Sequence, residues 1–235
     1  NNTLLNVALP SIMVTFGIED FSTVQWLATG YMLVGGILVP ASAYLITKFK
    51  TRSLFLVSMA IFVVGTALAA FAPSFGVLLA GRMIQAAGAA TMSPLLMNVM
   101  LISFPVEKRG TAMGIFGLVM VLAPAIGPPL SGWIVEHYDW SVLFKMILPF
   151  AILALLLAVW KLDNVLPNRE AKIDIFSLVL STIGFGGILY GFSTASAAGW
   201  TAIEVWGTIA IGAVGIIWFV IRQFQLEEPL LNLRI

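Results

Sequence analysis

The sequence predicts an all-α integral membrane protein, and three of its features support this fold class. Apolar residues make up 60% of the 235 residues and charged residues only 10%, whereas soluble domains carry about 25% charged residues. The mean hydropathy is +1.03. The apolar residues form long continuous runs, which excludes a transmembrane β-barrel, because barrel strands alternate between apolar and polar residues.

Eight apolar runs predict the membrane-spanning helices. About 20 residues at 1.5 Å each cross a hydrocarbon core of roughly 30 Å. The predicted spans are residues 1–16, 23–46, 53–72, 76–103, 110–135, 141–161, 174–195 and 203–224. The first run is shorter than the others, and we expect it to be a helix that lacks its first turns.

The basic residues predict which side of the membrane each polar break faces. Ten of the twelve Lys and Arg residues lie in alternate breaks or after the last span: Lys48, Lys50, Arg52, Lys108, Arg109, Lys161, Arg169, Lys172, Arg222 and Arg234. The opposite breaks carry acidic residues and the one histidine, and no Lys or Arg. Because cytoplasmic loops are enriched in Lys and Arg, the basic breaks are predicted to face the cytoplasm. Only Arg82 and Lys145 lie outside this pattern.

The longest polar stretch, residues 162–173, predicts the domain organisation. It contains a proline and charges of both signs, and is predicted to be a cytoplasmic linker. Residues 1–161 would form a six-helix unit, and residues 174–235 two further helices and a tail. Spans three and six open with the similar patterns RSLFL and WSVLF at opposite membrane faces, as an inverted three-plus-three repeat requires.

Arg82 is the most informative single residue, because it places a permanent cation inside an apolar span. A guanidinium at this depth costs several kcal/mol unless protein or water surrounds it. Two interpretations remain open. Arg82 is either a structural cation that holds neighbouring helices together, or a cavity residue that favours the ionised form of a carboxylate nearby. Every Asp and Glu of the chain lies in a break, in the linker or at the end of a span.

Other polar, aromatic and sulfur-containing residues are candidates for the lining of a ligand cavity. Gln85 lies one helical turn from Arg82, Tyr31 can stack on a cationic or aromatic drug, and methionines adapt to ligands of different shape. The candidate cavity and coupling residues are Asn1, Asn6, Trp26, Tyr31, Arg82, Gln85, Met92 and Asn98. Core packing, interhelical hydrogen bonding and, for Trp26, an interfacial aromatic belt remain as alternatives.

Five stretches of the chain, taken in order, resemble the motifs of one family. They are NNTLLNVALP at 1–10, QWLATGYML at 25–33, GRMIQAAG at 81–88, a set of small residues and proline in span five, and LLNLR at 230–234. Together they resemble the fourteen-helix drug:proton antiporters of the major facilitator superfamily, and among these the lincomycin-resistance type of multidrug exporter. The resemblance implies two six-helix bundles around a central cavity with two extra helices between them. This chain would supply the N-terminal half, and a C-terminal six-helix half would be its partner.

The resemblance also implies roles for particular residues. The set in span five matches the spacing of the family's antiporter motif, which implies that this helix is a kinked seal against ion leak. Its gating residues would be Gly114, Gly127, Pro128 and Gly132.

Two positions depart from the family pattern. Asn1 stands where many members have a membrane-embedded Asp. The loop after span two, with Lys48, Lys50 and Arg52, keeps the basic character of the family's cytoplasmic motif but has neither its Asp nor its glycines.

These features favour transport and exclude other functions. One His, no Cys, no Gly-rich phosphate loop and no pair of carboxylates within a span argue against an enzyme, a metal site or a cofactor. Membrane topology accounts for the basic residues, so no nucleic acid partner is expected. The resemblance implies the N-terminal half of a proton-coupled multidrug efflux transporter working by alternating access. It would lie in a bacterial plasma membrane, surrounded by lipid, with small amphipathic drugs and protons as its partners. A facilitator for a lipid or metabolite that protons do not drive, and a non-transporting membrane scaffold, remain as alternatives.

Overall fold

The computed structural model describes residues 2–165 and 174–226, and every regular element within them is an α-helix. The helices are α1 (Asn2–Phe16), α2 (Phe21–Lys48), α3 (Thr51–Ala70), α4 (Phe75–Ser103), α5 (Val106–His137), α6 (Val142–Lys161), α7 (Ile175–Ala198) and α8 (Ile203–Gln225). The predicted fold class is confirmed, and each helix begins and ends within four residues of its predicted span. Seven helices are long and apolar enough to cross a membrane, and α1 is shorter.

Short polar breaks start and stop these helices. The Asp20 carboxylate caps α2 by accepting a hydrogen bond from the backbone N–H of Ser22 at 3.0 Å. Ser74 and Asp174 cap α4 and α7 in the same way. These caps satisfy backbone N–H groups that a first helical turn leaves without partners. Helix α1 ends at Gly17, whose φ of +63° lies in the left-handed region that glycine adopts without strain.

Helices α3 and α4 form the centre of the bundle, and their backbones are in direct contact. A Cβ atom at Gly65 would lie 2.3 Å from the backbone nitrogen of Gln85, and one at Gly88 would lie 2.5 Å from the carbonyl oxygen of Ser58. Small residues allow this close antiparallel approach of two membrane helices. Helix α2 packs on α4, and α6 packs on α3.

An apolar cluster fills the end of the bundle where α1 meets α2. Side chains of α1 to α6 and of the break before α6 meet there, and they include Leu5, Leu9, Ile12, Val24, Leu27, Ala69, Ala70, Leu78, Ile134, Trp140, Leu143 and Phe144. The breaks at this end carry acidic residues, so we call it the acidic end. The opposite end, with the breaks that follow α2, α4 and α6, is the basic end.

Helices α7 and α8 form an antiparallel hairpin that packs on the bundle through α2. Glycines again bring the two backbones together, since a Cβ atom at Gly212 would lie 2.6 Å from the backbone nitrogen of Ile188. The Ser193 hydroxyl of α7 donates a hydrogen bond to Thr29 Oγ1 of α2 at 3.0 Å. The linker was predicted at 162–173, and residues 166–173 lie outside the described part of the chain.

Candidate functional site

Arg82 lies inside the bundle, towards its acidic end, and none of its surface is exposed. It is the eighth residue of α4, which places it about 10 Å along the helix from the acidic end. Its Nη1 donates a hydrogen bond to Gln85 Oε1 at 2.6 Å. Because three residues correspond to almost one helical turn, the two side chains meet on one face of α4.

A chain of hydrogen bonds continues from Gln85 into the neighbouring helix. Gln85 Nε2 donates to Thr66 Oγ1 of α3 at 2.7 Å, and the Thr66 hydroxyl donates to the carbonyl oxygen of Phe62 at 2.7 Å. Thr66 and Gln85 are both fully buried. The close contact of α3 and α4 at Gly65 brings these two side chains within reach of each other. The polar chain therefore holds the Gln85 amide, and through it the guanidinium, in one position.

Aromatic rings cover the guanidinium from two other helices. The Arg82 Cζ atom lies 4.2 Å from the centre of the Tyr31 ring of α2 and 6.0 Å from that of the Phe144 ring of α6. A cation over an aromatic face is attracted by the ring quadrupole, and the attraction is strongest where water is excluded. The two rings and the Gln85 amide are neutral groups, so these three contacts bring no negative charge to the arginine.

The structure brings together three of the residues that the sequence selected, Arg82, Gln85 and Tyr31, and adds two that it did not. Thr66 gave no signal because a threonine within a helix can satisfy its hydroxyl on its own backbone. Phe144 could not be told apart from the other phenylalanines by sequence, because the chain has 16 of them.

The other candidate residues lie away from this cluster. Asn6 of α1 and Asn98 of α4 are exposed, and Met92 is half-buried. The Trp26 ring faces α7, with its centre 5.9 Å from that of the Tyr190 ring. Asn1 and the motif at 230–234 lie outside the described residues. The cavity and coupling roles of all these residues stay predictions.

The predicted gating residues of α5 fall on two different faces. A Cβ atom at Gly127 would lie 2.7 Å from Thr3 Oγ1 of α1, and one at Gly132 would lie 4.0 Å from Val7 Cγ1. Gly114 has open space around the corresponding position, and Pro128 is exposed. Gly127 and Gly132 thus line the contact with α1, which the Ser131 hydroxyl reinforces by donating to the carbonyl oxygen of Leu4.

The exposed face of α5 is almost entirely apolar. Between residues 115 and 126 the exposed large apolar side chains lie around most of the helix circumference: Ile115, Leu118, Val119, Met120, Val121, Leu122 and Ile126. Helix α5 contains three prolines and is nevertheless continuous from Val106 to His137.

The predicted basic loop joins three helices at the basic end. Arg52 Nη2 donates to the carbonyl oxygen of Val159 in α6 at 2.6 Å, and the Arg52 backbone N–H donates to Asn164 Oδ1 at 3.2 Å. The Lys48 ammonium lies over an aromatic ring of its own helix and 5.9 Å from the centre of the Phe49 ring. Sequence analysis missed the contact with α6, because it joins residues more than 100 positions apart.

A bundle of membrane-spanning helices around a buried ionisable residue is typical of polytopic membrane transport proteins. The chain belongs to one family of them, the Major Facilitator Superfamily, whose family model matches residues 1–224. The family that the five motifs indicated is confirmed. Members of this family are transporters, not enzymes.

Several bacterial proteins are similar to the chain over its whole length. The uncharacterised MFS-type transporter YcnB of Bacillus subtilis is 50% identical over 235 residues, which are all of this chain and 50% of that protein. The lincomycin resistance protein LmrB of Bacillus subtilis is 48% identical, over all of this chain and 49% of that protein. The multidrug export protein EmrB of Haemophilus influenzae is 30% identical, over 99% of this chain and 46% of that protein. The chain therefore spans about half the length of the curated relatives it matches.

Proposed function

We propose that this chain is the N-terminal half of a proton-coupled multidrug efflux transporter that works by alternating access. Residues 1–161 would be its first transport bundle, 162–173 a cytoplasmic linker, and 174–235 two accessory helices and a tail. The observation that carries the proposal is the fully buried Arg82, which donates to Gln85 Oε1 inside a membrane bundle. Relatives named for lincomycin resistance and multidrug export support drugs as the substrate class.

The charge of Arg82 gives the proposal its chemistry. A fixed cation in a medium of low dielectric constant favours the ionised form of any carboxylate that approaches it. A proton-carrying Asp or Glu on the second half would therefore release its proton in the conformation that brings it near Arg82. It would bind a proton again in the conformation that separates the two. Gln85 and Thr66 would keep the cation in place while the two halves move.

Two exposed amides indicate where the second half or a wet cavity would lie. Asn6 and Asn98 face outward from α1 and α4. A polar group that faces lipid has no hydrogen-bond partner, so we expect these faces to meet water or polar protein groups. The open space around Gly114 on the exposed face of α5 suits the close approach of another helix. Such a helix would come from the C-terminal half.

The test is drug efflux by the full-length protein that contains this chain. Cells that express it should export lincomycin and a fluorescent cationic drug, and a protonophore should stop the export while ATP is maintained. Export that continues without a proton gradient would favour the alternative of a facilitator that protons do not drive. Absence of flux for any drug or metabolite, with the protein present in the membrane, would leave only a scaffold.

A further inference from the structure

A groove between α2 and α3, with α4 as its floor, lies outside the Arg82 site. Its volume is about 390 Å³. Leu45 and Phe49 of α2 form one side, Val57 of α3 forms the other, and Ala87 and Thr91 of α4 lie at the bottom. The groove exists because α2 and α3 each pack on α4 but make little contact with each other. It is a lateral opening in the bundle, and no step of the proposed transport cycle uses it.

The depth of the groove matches one leaflet of a bilayer. Its α2 side extends from Phe49 at the basic end to Leu38. Eleven residues of helix correspond to about 16 Å. Half of a hydrocarbon core of roughly 30 Å is about 15 Å. Val57 is exposed on the rim, so the groove is open along its length to the surface that meets lipid.

Positive charge surrounds the mouth of the groove. The Lys48 ammonium lies 5.9 Å from the centre of the ring of Phe49, a lining residue. Lys50 is exposed beside it and begins α3 without a side-chain cap, so the positive end of the helix dipole also points there. Asn164, which accepts from the Arg52 backbone N–H, follows the acidic Asp163, but the basic residues of this loop outnumber that carboxylate.

We propose that this groove binds one anionic phospholipid, with an acyl chain between α2 and α3 and the phosphate against Lys48 and Lys50. The lining is mostly apolar, with the Ser53, Ser58 and Thr91 hydroxyls as its polar groups, which favours an acyl chain. The basic mouth distinguishes an anionic headgroup from a zwitterionic one. The basic end is the end that is predicted to face the cytoplasm, where anionic lipids attract such charges. The lipid would keep α2 and α3 apart at a fixed distance.

The experiment titrates phosphatidylglycerol into the delipidated full-length protein in detergent and follows binding by native mass spectrometry. The wild-type protein should bind one phosphatidylglycerol molecule with preference over phosphatidylcholine. Lys48→Gln together with Lys50→Gln should weaken binding about thirty-fold, or about five-fold for each lysine, from roughly 1 kcal/mol per basic residue. Lys108→Gln with Arg109→Gln removes two charges from another basic break and should leave binding unchanged.

A second variant tests the apolar part of the groove. Ala87→Phe places a ring on the floor and should displace the acyl chain, so that neither lipid binds at this stoichiometry. If Ala87→Phe does not fold, Val57→Ser on the rim replaces it and should weaken the binding of both lipids.

Three results would overturn the proposal: equal affinity for both lipids in the wild-type protein, equal losses in both double variants, or binding that survives a filled groove. So would a cross-link from a cysteine at position 57 to the second half of the protein. Binding is measured without transport, so a failure of the efflux test leaves this result unaffected.

Discussion

Two arginines, Arg82 and Arg222, are held by this protein in opposite ways. Arg82 is fully buried and bonded to a neutral amide, with a tyrosine ring 4.2 Å away. Arg222 of α8 is 34% exposed and donates to both carboxylate oxygens of Asp174, at 2.8 and 3.2 Å. The first arrangement places a cation inside the bundle. The second cancels a charge at the membrane edge and closes the α7–α8 hairpin.

The difference shows that burial and charge pairing serve separate purposes here. In a buried ion pair the two charges would largely cancel. A further carboxylate that approached the pair would therefore be attracted only weakly. A buried cation that contacts an amide and aromatic rings, as Arg82 does, attracts a carboxylate that approaches it. At the basic end water screens charges, so pairing with a carboxylate costs little desolvation free energy. The pair connects the ends of two helices. Four changes test this comparison.

Replacing either arginine by alanine should have the largest and most unequal effect. Arg82→Ala is expected to reduce drug efflux by the full-length protein to the level of cells without it, since the central charge is lost. Membrane insertion should be intact because the span becomes more apolar. Arg222→Ala should retain most of the efflux. The measurement is efflux rate at matched protein levels in the membrane, and normal efflux by Arg82→Ala would remove this residue from the mechanism.

The contact that positions the Arg82 network should be almost as sensitive. A methyl group at Gly65 would collide with the backbone of Gln85, so Gly65→Ala should destabilise the protein by about 3 kcal/mol, the upper part of the range for overpacking. Gly207→Ala in α8 is the matched control, because nothing lies within 4 Å of its Cβ position. Thermal unfolding in detergent measures both, and equal melting temperatures would contradict the close packing of α3 and α4.

A smaller effect is expected where the hydrogen-bond chain enters α3. Thr66→Val removes the oxygen that accepts from Gln85 and should cost about 1 kcal/mol, as for other hydrogen bonds between membrane helices. It should also lower efflux, because the Gln85 amide loses its anchor. Thr66→Ser keeps the hydroxyl and serves as the control. If both variants behave alike in unfolding and in efflux, the hydroxyl does not hold the network.

The smallest effect is expected at the hairpin, and it depends on pH. The hydrogen bonds from Arg222 and Ser177 lower the pKa of Asp174 from 3.8 to about 2. A lowered pKa in the folded state adds stability above the unfolded value, near 4, and this stability is lost as the pH falls towards 2. Solvent screening limits it to about 1 kcal/mol or less.

Asp174→Asn should therefore lower the melting temperature slightly at pH 6 and by much less at pH 2. The comparison is thermal unfolding of both proteins at the two values of pH, with Asp163→Asn as the control. A loss that is the same at both values would mean that the side chain acts through its capping of Ser177 and not through its charge.

Most of the fold followed from hydropathy, because a bilayer allows few alternatives. Each apolar run had to become a helix that satisfies its own backbone, so the eight runs and their ends could be read from the sequence. The candidate site could be predicted only in part. Gln85 shares a helix face with Arg82, and periodicity alone shows this. Phe144 is 62 positions from Arg82, and no local pattern indicates that the two side chains meet.

Hydropathy and charge placement were enough to predict the class of protein, the helices and the need to shelter one cation inside the membrane. The groups that shelter this cation are selected by packing. Whether Arg82 meets an amide, a ring or a carboxylate depends on how closely α3 approaches α4 and where α2 and α6 then lie. Those distances follow from contacts between residues far apart in the chain, such as Gly65 against Gln85, and only the packed bundle sets them.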